Sequence, residues 1–380
     1  MKRLLVALLA LALTSAAPAP EARWTQPQVE RLIQWITTAS DEGLAPAASD
    51  LPALRTAVAS GDGERISRAA TASAARLLTA LREGCCNAAL KKAWYIEQPQ
   101  PWPDAGIAVA QAVGQDRLDA LFAAARPTHP FYRALRAAYA NETNAARRTT
   151  LAANLDRWRW MPRDPGPRYL LVNTAAYEAT LWQGERIVGR WSVIVGKTGS
   201  PTPVFKAQVT GVTFNPWWEI PASIARESVA AMVARDPAGA ARRGYIREGN
   251  RYRQRPGPNN ALGQMKLVMP NRFSVYLHDT PTRSLFQQSE RAYSHGCIRV
   301  GDALGLATTL LSAGSGWTRA DTDAIVASKQ TRTISLQTPI PVYIAYFTAE
   351  PGDTGGIRYF KDIYRRDSGA SAPVADGTCL

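Results

Sequence analysis

Tyr276-Leu277-His278-Asp279-Thr280-Pro281 and, ten residues on, Arg291-Ala292-Tyr293-Ser294-His295-Gly296-Cys297-Ile298-Arg299-Val300 decide how this 380-residue chain is read. A nucleophilic cysteine must be accessible, able to ionise and within reach of a base. Cys297 follows a glycine and has small or polar residues before it, so its backbone can approach a substrate closely. His278 and His295, two of the three histidines in the chain, lie just upstream. His278 closes a predicted strand expected to run beside the Cys297 loop, which makes it the expected base. In an extended segment His295, two residues before Cys297, shares its face but is poorly aimed at the sulfur. A zinc site built from His278, His295 and Cys297 would lack a fourth ligand at any recognisable spacing. Neither a metal nor an organic cofactor is expected.

Outward from this stretch the hydrophobic period changes once. From Thr25 to Ala153 the chain is alanine-rich, and Val29, Leu32, Ile33 and Ile36 recur at helical spacing, with Gly43 as the stop. Further helices are predicted over 64–81, 116–125 and 132–140, with a proline break at Pro99–Pro103. From Arg168 onward β-branched and aromatic runs predict strands over 169–172, 179–182, 186–195, 202–205 and 209–214, with a turn at Gln183-Gly184-Glu185. Residues 220–252 turn helical and polar, with a helix predicted over 222–234. Strands return at 266–269 and 273–278. A helix over 301–311 and a strand pair at 333–336 and 342–346 follow.

The N-terminus carries Lys2 and Arg3, an apolar run from Leu4 to Leu13 and small residues to Ala17. This reads as a secretory signal over 1–19, too short to span a bilayer as a helix, with cleavage near Ala16 or Ala17. A periplasmic protein without a transmembrane segment in its mature form is expected. With Cys297 free as a nucleophile, Cys85, Cys86 and Cys379 remain for an oxidising compartment. Cys379 could pair with either neighbour, or Cys85 and Cys86 with each other. The formal net charge of +14 suits an acidic partner. No nucleic-acid fold signature accompanies it, so no nucleic-acid partner is expected.

The Ser294-His295-Gly296-Cys297 element, a hydrophobic residue and Arg299 after it, and a histidine 19 positions before the cysteine resemble the catalytic motif of the YkuD-type L,D-transpeptidases. The likeness extends to Arg253–Gly263, to Phe214-Asn215-Pro216-Trp217-Trp218 and to Asn154–Trp160, blocks similar to the large, YcbB-like branch of that family. It covers about residues 150–350. The resemblance implies an α+β chain: a helical scaffold domain over 20–153, then a mostly β catalytic domain over 154–350. A short, partly helical cap would span about 220–252, and a tail 351–380. It also implies a cysteinyl thioester formed with a peptidoglycan stem peptide and resolved by the amine of a diaminopimelate acceptor. Stem carboxylates would suit the basic charge. Cys297 would be the nucleophile and His278 the base, its tautomer held by a backbone carbonyl. The N–H groups of Gly296 and Cys297, with Tyr276, would form the oxyanion site. Ser294 and His295 would line it, Arg299 would meet a substrate carboxylate or anchor the loop through a salt bridge, and Trp217 and Trp218 would wall the acceptor groove or fill the core. Carbapenem-type inhibitors are expected to acylate the thiol. The favoured product is a 3-3 cross-link, with 1-3 links through L-Ala as the other outcome. An L,D-carboxypeptidase using the same site is the alternative reading, and a non-catalytic peptidoglycan-binding scaffold the third. The peptidoglycan-binding repeat usual between scaffold and catalytic domains is not visible between Tyr139 and Arg147.

Overall fold

Alanine-rich, 3.6-periodic sequence can bury one face only against other helices, and the first part of the chain does so. A computed structural model describes residues 22–44, 50–84, 91, 93–97 and 101–367. The signal-like run, Cys85, Cys86 and Cys379 fall outside these residues. Helices α1 (Gln26–Ala39), α2 (Leu51–Ala59), α3 (Gly63–Glu83), α4 (Ala105–Gly114) and α5 (Leu118–Ala125) enclose a core of Leu32, Ile36, Leu54, Leu77, Leu78 and Phe122. The Asp62 carboxylate caps α3 by accepting the Glu64 and Arg65 N–H groups. Gly43, with φ +75°, ends the turn after α1 as its spacing predicts. Helices α2 and α4 were not foreseen.

Helices α6 (Pro130–Asn141) and α7 (Ala145–Trp160) are separated by Glu142–Asn144, which leaves no room for an inserted module. The boundary expected at 153/154 falls inside α7, and this helix joins the two halves. On one side the Arg159 guanidinium donates to the Glu42 carbonyl at 2.8 Å and pairs with Asp156 at 2.7 Å. The Trp160 indole donates to the Glu83 carbonyl at 2.7 Å. On the other side Asn154 exchanges two hydrogen bonds with Thr348, Arg157 pairs with Asp367 at 2.8 Å, and Trp158 stacks on Phe347. The segment expected as a tail thus packs back onto α7, with a hairpin of β14 (Ala349–Pro351) and β15 (Ile357–Tyr359).

The β-rich half is one ten-stranded sheet. Its strands are β1 (Trp94–Tyr95), β2 (Arg168–Asn173), β3 (Glu178–Gln183), β4 (Arg186–Gly196), β5 (Val204–Phe214), β9 (Met265–Val268), β10 (Leu277–His278), β11 (Ala292–Ser294), β12 (Ile298–Val300) and β13 (Arg332–Ala345). The order β5-β13-β2-β3-β4-β12-β10-β9 returns to β5, closing a ring, with β1 on β5 and β11 on β4. Closure leaves the ring strands few free edges. The two runs predicted at 202–214 are one strand. The predicted C-terminal strand pair is also one strand, paired along β5, with a register shift between Ser335 and Ile340. The cap is a small unit on its own core of Ile220, Ala225 and Val229, with β6 (Trp218–Glu219), β7 (Tyr245–Glu248) and β8 (Arg251–Gln254) as its sheet. The helix predicted over 222–234 is interrupted by a π-helical turn at Ala225–Val229. Among the described residues no helix is long and apolar enough to cross a membrane.

Candidate active site

Three short strands build the site. Leu277 pairs with Ile298 and His278 with Arg299 in parallel, and His278 also pairs with Lys266 in antiparallel. Alternation along a strand sends neighbours to opposite faces. Leu267, Leu277 and Ile298 are therefore buried in the barrel core. Lys266, Tyr276, His278, Cys297 and Arg299 share the other face.

The loop carrying Cys297 is held by its own side chains and one neighbour. Ser294 Oγ accepts the Gly296 N–H at 3.0 Å and donates to the Cys297 carbonyl at 2.5 Å. Thr202 Oγ1 accepts the Gly196 N–H and donates to the Gly296 carbonyl, both at 2.9 Å. Gly296 has φ +114°, a backbone conformation that a side chain would strain. The Gly296 N–H is thus engaged and is not the oxyanion donor expected from sequence. Among the described residues nothing accepts the Cys297 N–H.

Cys297 is partly exposed, and its Sγ lies 3.8 Å from the Ser274 carbonyl. Burial pushes its thiol up; hydrogen bonds from the Tyr276 N–H and hydroxyl and the charges of Arg299 and Lys266 oppose this. Tyr276 is itself raised by burial, and Trp218 from the cap hydrogen-bonds its side chain. His278 is buried at 5% exposure, and its Nδ1 lies 2.5 Å from the Asp279 carbonyl. A carbonyl can only accept, so Nδ1 carries the proton in this contact; the Leu262 carbonyl also hydrogen-bonds the ring. Burial first, then the Arg299 charge, push the imidazole down to about 3. Burial thus favours the neutral form of both the thiol and the imidazole.

His295 faces elsewhere. Its Nε2 lies 2.9 Å from Glu227 on the π-helical turn of the cap, and Lys197 lies 3.2 Å from the same carboxylate. His278, His295 and Cys297 are not gathered as one ligand set, and among the described residues no group of three or more His, Cys, Asp or Glu is arranged to hold a metal ion. Trp217 lies under the Arg253 guanidinium, 4.5 Å from ring to carbon; it is Trp218 that reaches Tyr276. Among the described residues no carboxylate pairs with Arg299, so the salt bridge weighed for it is not formed. Sequence reasoning missed Thr202, Glu227 and Lys266. Only Lys266 left a local signal, a lysine between two apolar residues in a predicted strand.

Residues 167–344 match the family model described as the L,D-transpeptidase catalytic domain, YkuD, and residues 17–138 match that of the Scaffold domain. A protein of Haemophilus influenzae named "putative L,D-transpeptidase" is 32% identical over 238 residues, which cover 57% of this chain and 48% of that one. This chain thus spans about half the length of that relative. Among solved structures, an L,D-transpeptidase from Mycobacterium smegmatis covers 47% of this chain and 58% of its own at 13% identity and a TM-score of 0.26. L,D-transpeptidase 3 from Mycobacterium tuberculosis, solved with a faropenem-derived adduct, covers 47% and 60% at 13% identity and a TM-score of 0.25. The two family matches place a Scaffold domain at residues 17–138 ahead of an L,D-transpeptidase catalytic domain (YkuD) at residues 167–344.

Proposed function

We propose that the protein cross-links peptidoglycan stem peptides by acyl transfer through Cys297. The observation that carries this reading is the single strand face that gathers Cys297, Tyr276, His278 and Arg299 inside the matched catalytic domain. His278 Nε2 takes the thiol proton as Sγ attacks the carbonyl of an L-configured residue that precedes a D-residue. The Cys297 N–H and the Tyr276 hydroxyl are the donors left for the oxyanion. The imidazolium returns its proton to the departing amine, which leaves a thioester. The side-chain amine of a diaminopimelate from a second stem then attacks, gives up its proton to His278 and frees the thiol. No step calls on a metal or organic cofactor. The apolar run at the N-terminus supports export to the periplasm, where such stems occur. The scaffold match supports placement in the YcbB-like branch.

The donor carbonyl is that of diaminopimelate before D-Ala, which yields 3-3 links. Purified protein incubated with muropeptides should form dimers whose tandem mass spectra show a diaminopimelate-to-diaminopimelate bond. Dimers joined only through L-Ala would overturn the donor register and leave the acyl transfer standing. Loss of the D-residue without dimers would replace transfer by hydrolysis. A carbapenem should add covalently to the wild type and not to Cys297→Ala by intact mass; an adduct surviving the substitution would move the nucleophile elsewhere. His278→Ala should abolish turnover, whereas His295→Ala, which loses a contact to the cap, should retain part of it.

A further inference from the structure

The turn that follows β4 is gripped from the C-terminal part of the chain. The Tyr364 hydroxyl donates to the Gly196 carbonyl at 2.6 Å and accepts the Thr202 N–H at 3.3 Å. Burial raises this hydroxyl above its ordinary value, so it keeps its proton and donates throughout the neutral range. The turn itself is tightly closed: a Cβ on Gly196 would fall 2.2 Å from the Ser200 carbonyl. From this turn Thr202 Oγ1 donates to the Gly296 carbonyl, and the Lys197 N–H donates to the Ser294 carbonyl at 2.8 Å. A peptide unit is planar. Fixing the Gly296 carbonyl therefore also aims the Cys297 N–H, the proposed oxyanion donor, which belongs to the same unit. Tyr364 is in turn tied to the joint helix α7. Its ring stacks on Tyr346 with 5.4 Å between centres, its N–H donates to the Tyr346 hydroxyl at 3.1 Å, and that hydroxyl donates to Asp362 at 2.5 Å. Asp362 also accepts the Arg366 and Asp367 N–H groups, both at 2.8 Å. Arg157 of α7 donates to the Arg366 carbonyl at 2.9 Å and pairs with Asp367.

We infer that Tyr364 is a positioning residue for Cys297: through Gly196 and Thr202 it fixes the plane of the Gly296–Cys297 peptide, so that segment 362–367 is a strut between the α7 joint and the oxyanion donor. The Tyr364 hydroxyl is spent on Gly196 and Thr202. It should therefore matter where an oxyanion develops, and not where the thiolate alone reacts. The inference deepens the acyl-transfer reading and rests on it for a rate comparison, while a second measurement, hydrogen exchange, stands without it.

Two reactions of Cys297 separate these demands. Imipenem acylates it: Sγ adds to the β-lactam carbonyl, the ring C–N bond opens and the nitrogen takes the thiol proton, which leaves a thioester formed through an oxyanion. Iodoacetamide alkylates the thiolate at a saturated carbon with loss of iodide, and no oxyanion forms. Tyr364→Phe keeps the ring stack and removes the hydroxyl. It should slow acylation about tenfold, the scale of a modest misalignment, and leave the rate and pH profile of alkylation as in wild type. Hydrogen exchange read by mass spectrometry should quicken in peptides covering 294–299. A lower urea midpoint with an unmoved acylation-to-alkylation ratio, or with unmoved exchange, would make Tyr364 an ordinary packing residue and overturn the inference. Equal slowing of both reactions also overturns it, since access or ionisation of the thiol would then be the cause. If the wild type is not acylated at all, the acyl-transfer reading falls and exchange alone decides on the strut. If Tyr364→Phe does not fold, Asp362→Asn, whose amide lacks the second oxygen that accepts the Asp367 N–H, decides by the same measurements and in the same directions.

Discussion

Replacing His278 by Asn should change how stability depends on pH, and the size of the change follows from burial. In the unfolded chain an imidazole titrates at its ordinary value of 6.5, and in the fold it is held down to about 3. Between those values the unfolded state binds more protons, so the contribution of His278 is fully present above pH 6.5 and is lost as pH falls toward 3. At pH 5.0 the loss is about 2 kcal/mol, at 1.36 kcal/mol per pH unit. Asparagine can still donate to the Asp279 carbonyl but does not titrate. Urea unfolding of wild type and His278→Asn at pH 7.5 and 5.0 gives four free energies. The advantage of wild type should shrink by about 2 kcal/mol between the two pH values. Every other titrating group, including His129, which is also held down to about 3 by burial, cancels in that double difference. An advantage independent of pH would mean that the imidazole titrates normally in the fold. The neutral resting pair, and the mechanism in which Nε2 takes the thiol proton only during attack, would then fail.

Thr202→Val keeps the shape of a fully buried side chain but removes the acceptor of the Gly196 N–H and the donor to the Gly296 carbonyl. It should cost about 1–3 kcal/mol in urea unfolding and slow acylation of Cys297, while Thr202→Ser restores both; a wild-type midpoint would show that another group satisfies Gly196. Tyr276→Phe removes a hydroxyl that favours the thiolate, so the pH profile of Cys297 alkylation by iodoacetamide should move to higher pH, and an unmoved profile would discount that hydrogen bond. Glu350, buried at 3% exposure, is raised from 4.5 to about 7, with burial the main cause. Its contribution is fully present below pH 4.5 and is lost as pH rises through 7. Glu350→Gln should therefore gain roughly 2–3 kcal/mol on wild type between pH 4.5 and 7, and a constant difference across that range would contradict the raised value.

The α7 block shows why a motif can be legible while its role is not. Asn154–Trp160 stands out in the sequence as a dense run of polar and aromatic residues, and a domain boundary was expected at its start. In the fold Arg157 and Arg159 are almost wholly buried and face opposite halves of the molecule. Removing one partner of such a buried pair is expected to cost about 3–5 kcal/mol, so the block serves as the joint between the helical and β-rich parts. The polar character is local information. The two surfaces that it satisfies are assembled from residues distant in sequence, Glu42 on one side and Thr348 on the other.

Sequence by itself determined what depends on neighbours along the chain. The alanine-rich helical period, the turn at Gly184, the glycine before Cys297 and the histidine at a strand end were all read correctly, because each is a local steric or hydrophobic preference. The tertiary structure decided what depends on which strands lie side by side. Pairing along β5 made one strand of each predicted pair, and pairing of β9, β10 and β12 put Lys266 on the face of Cys297. Cap packing turned His295 to Glu227 and brought Trp218, not Trp217, to Tyr276. Burial favours the neutral form of both the cysteine and the histidine. A residue's parity along a strand can be counted from the sequence. Its partner across the sheet, and the water it loses there, are set by hydrogen-bond register between segments that the sequence keeps far apart.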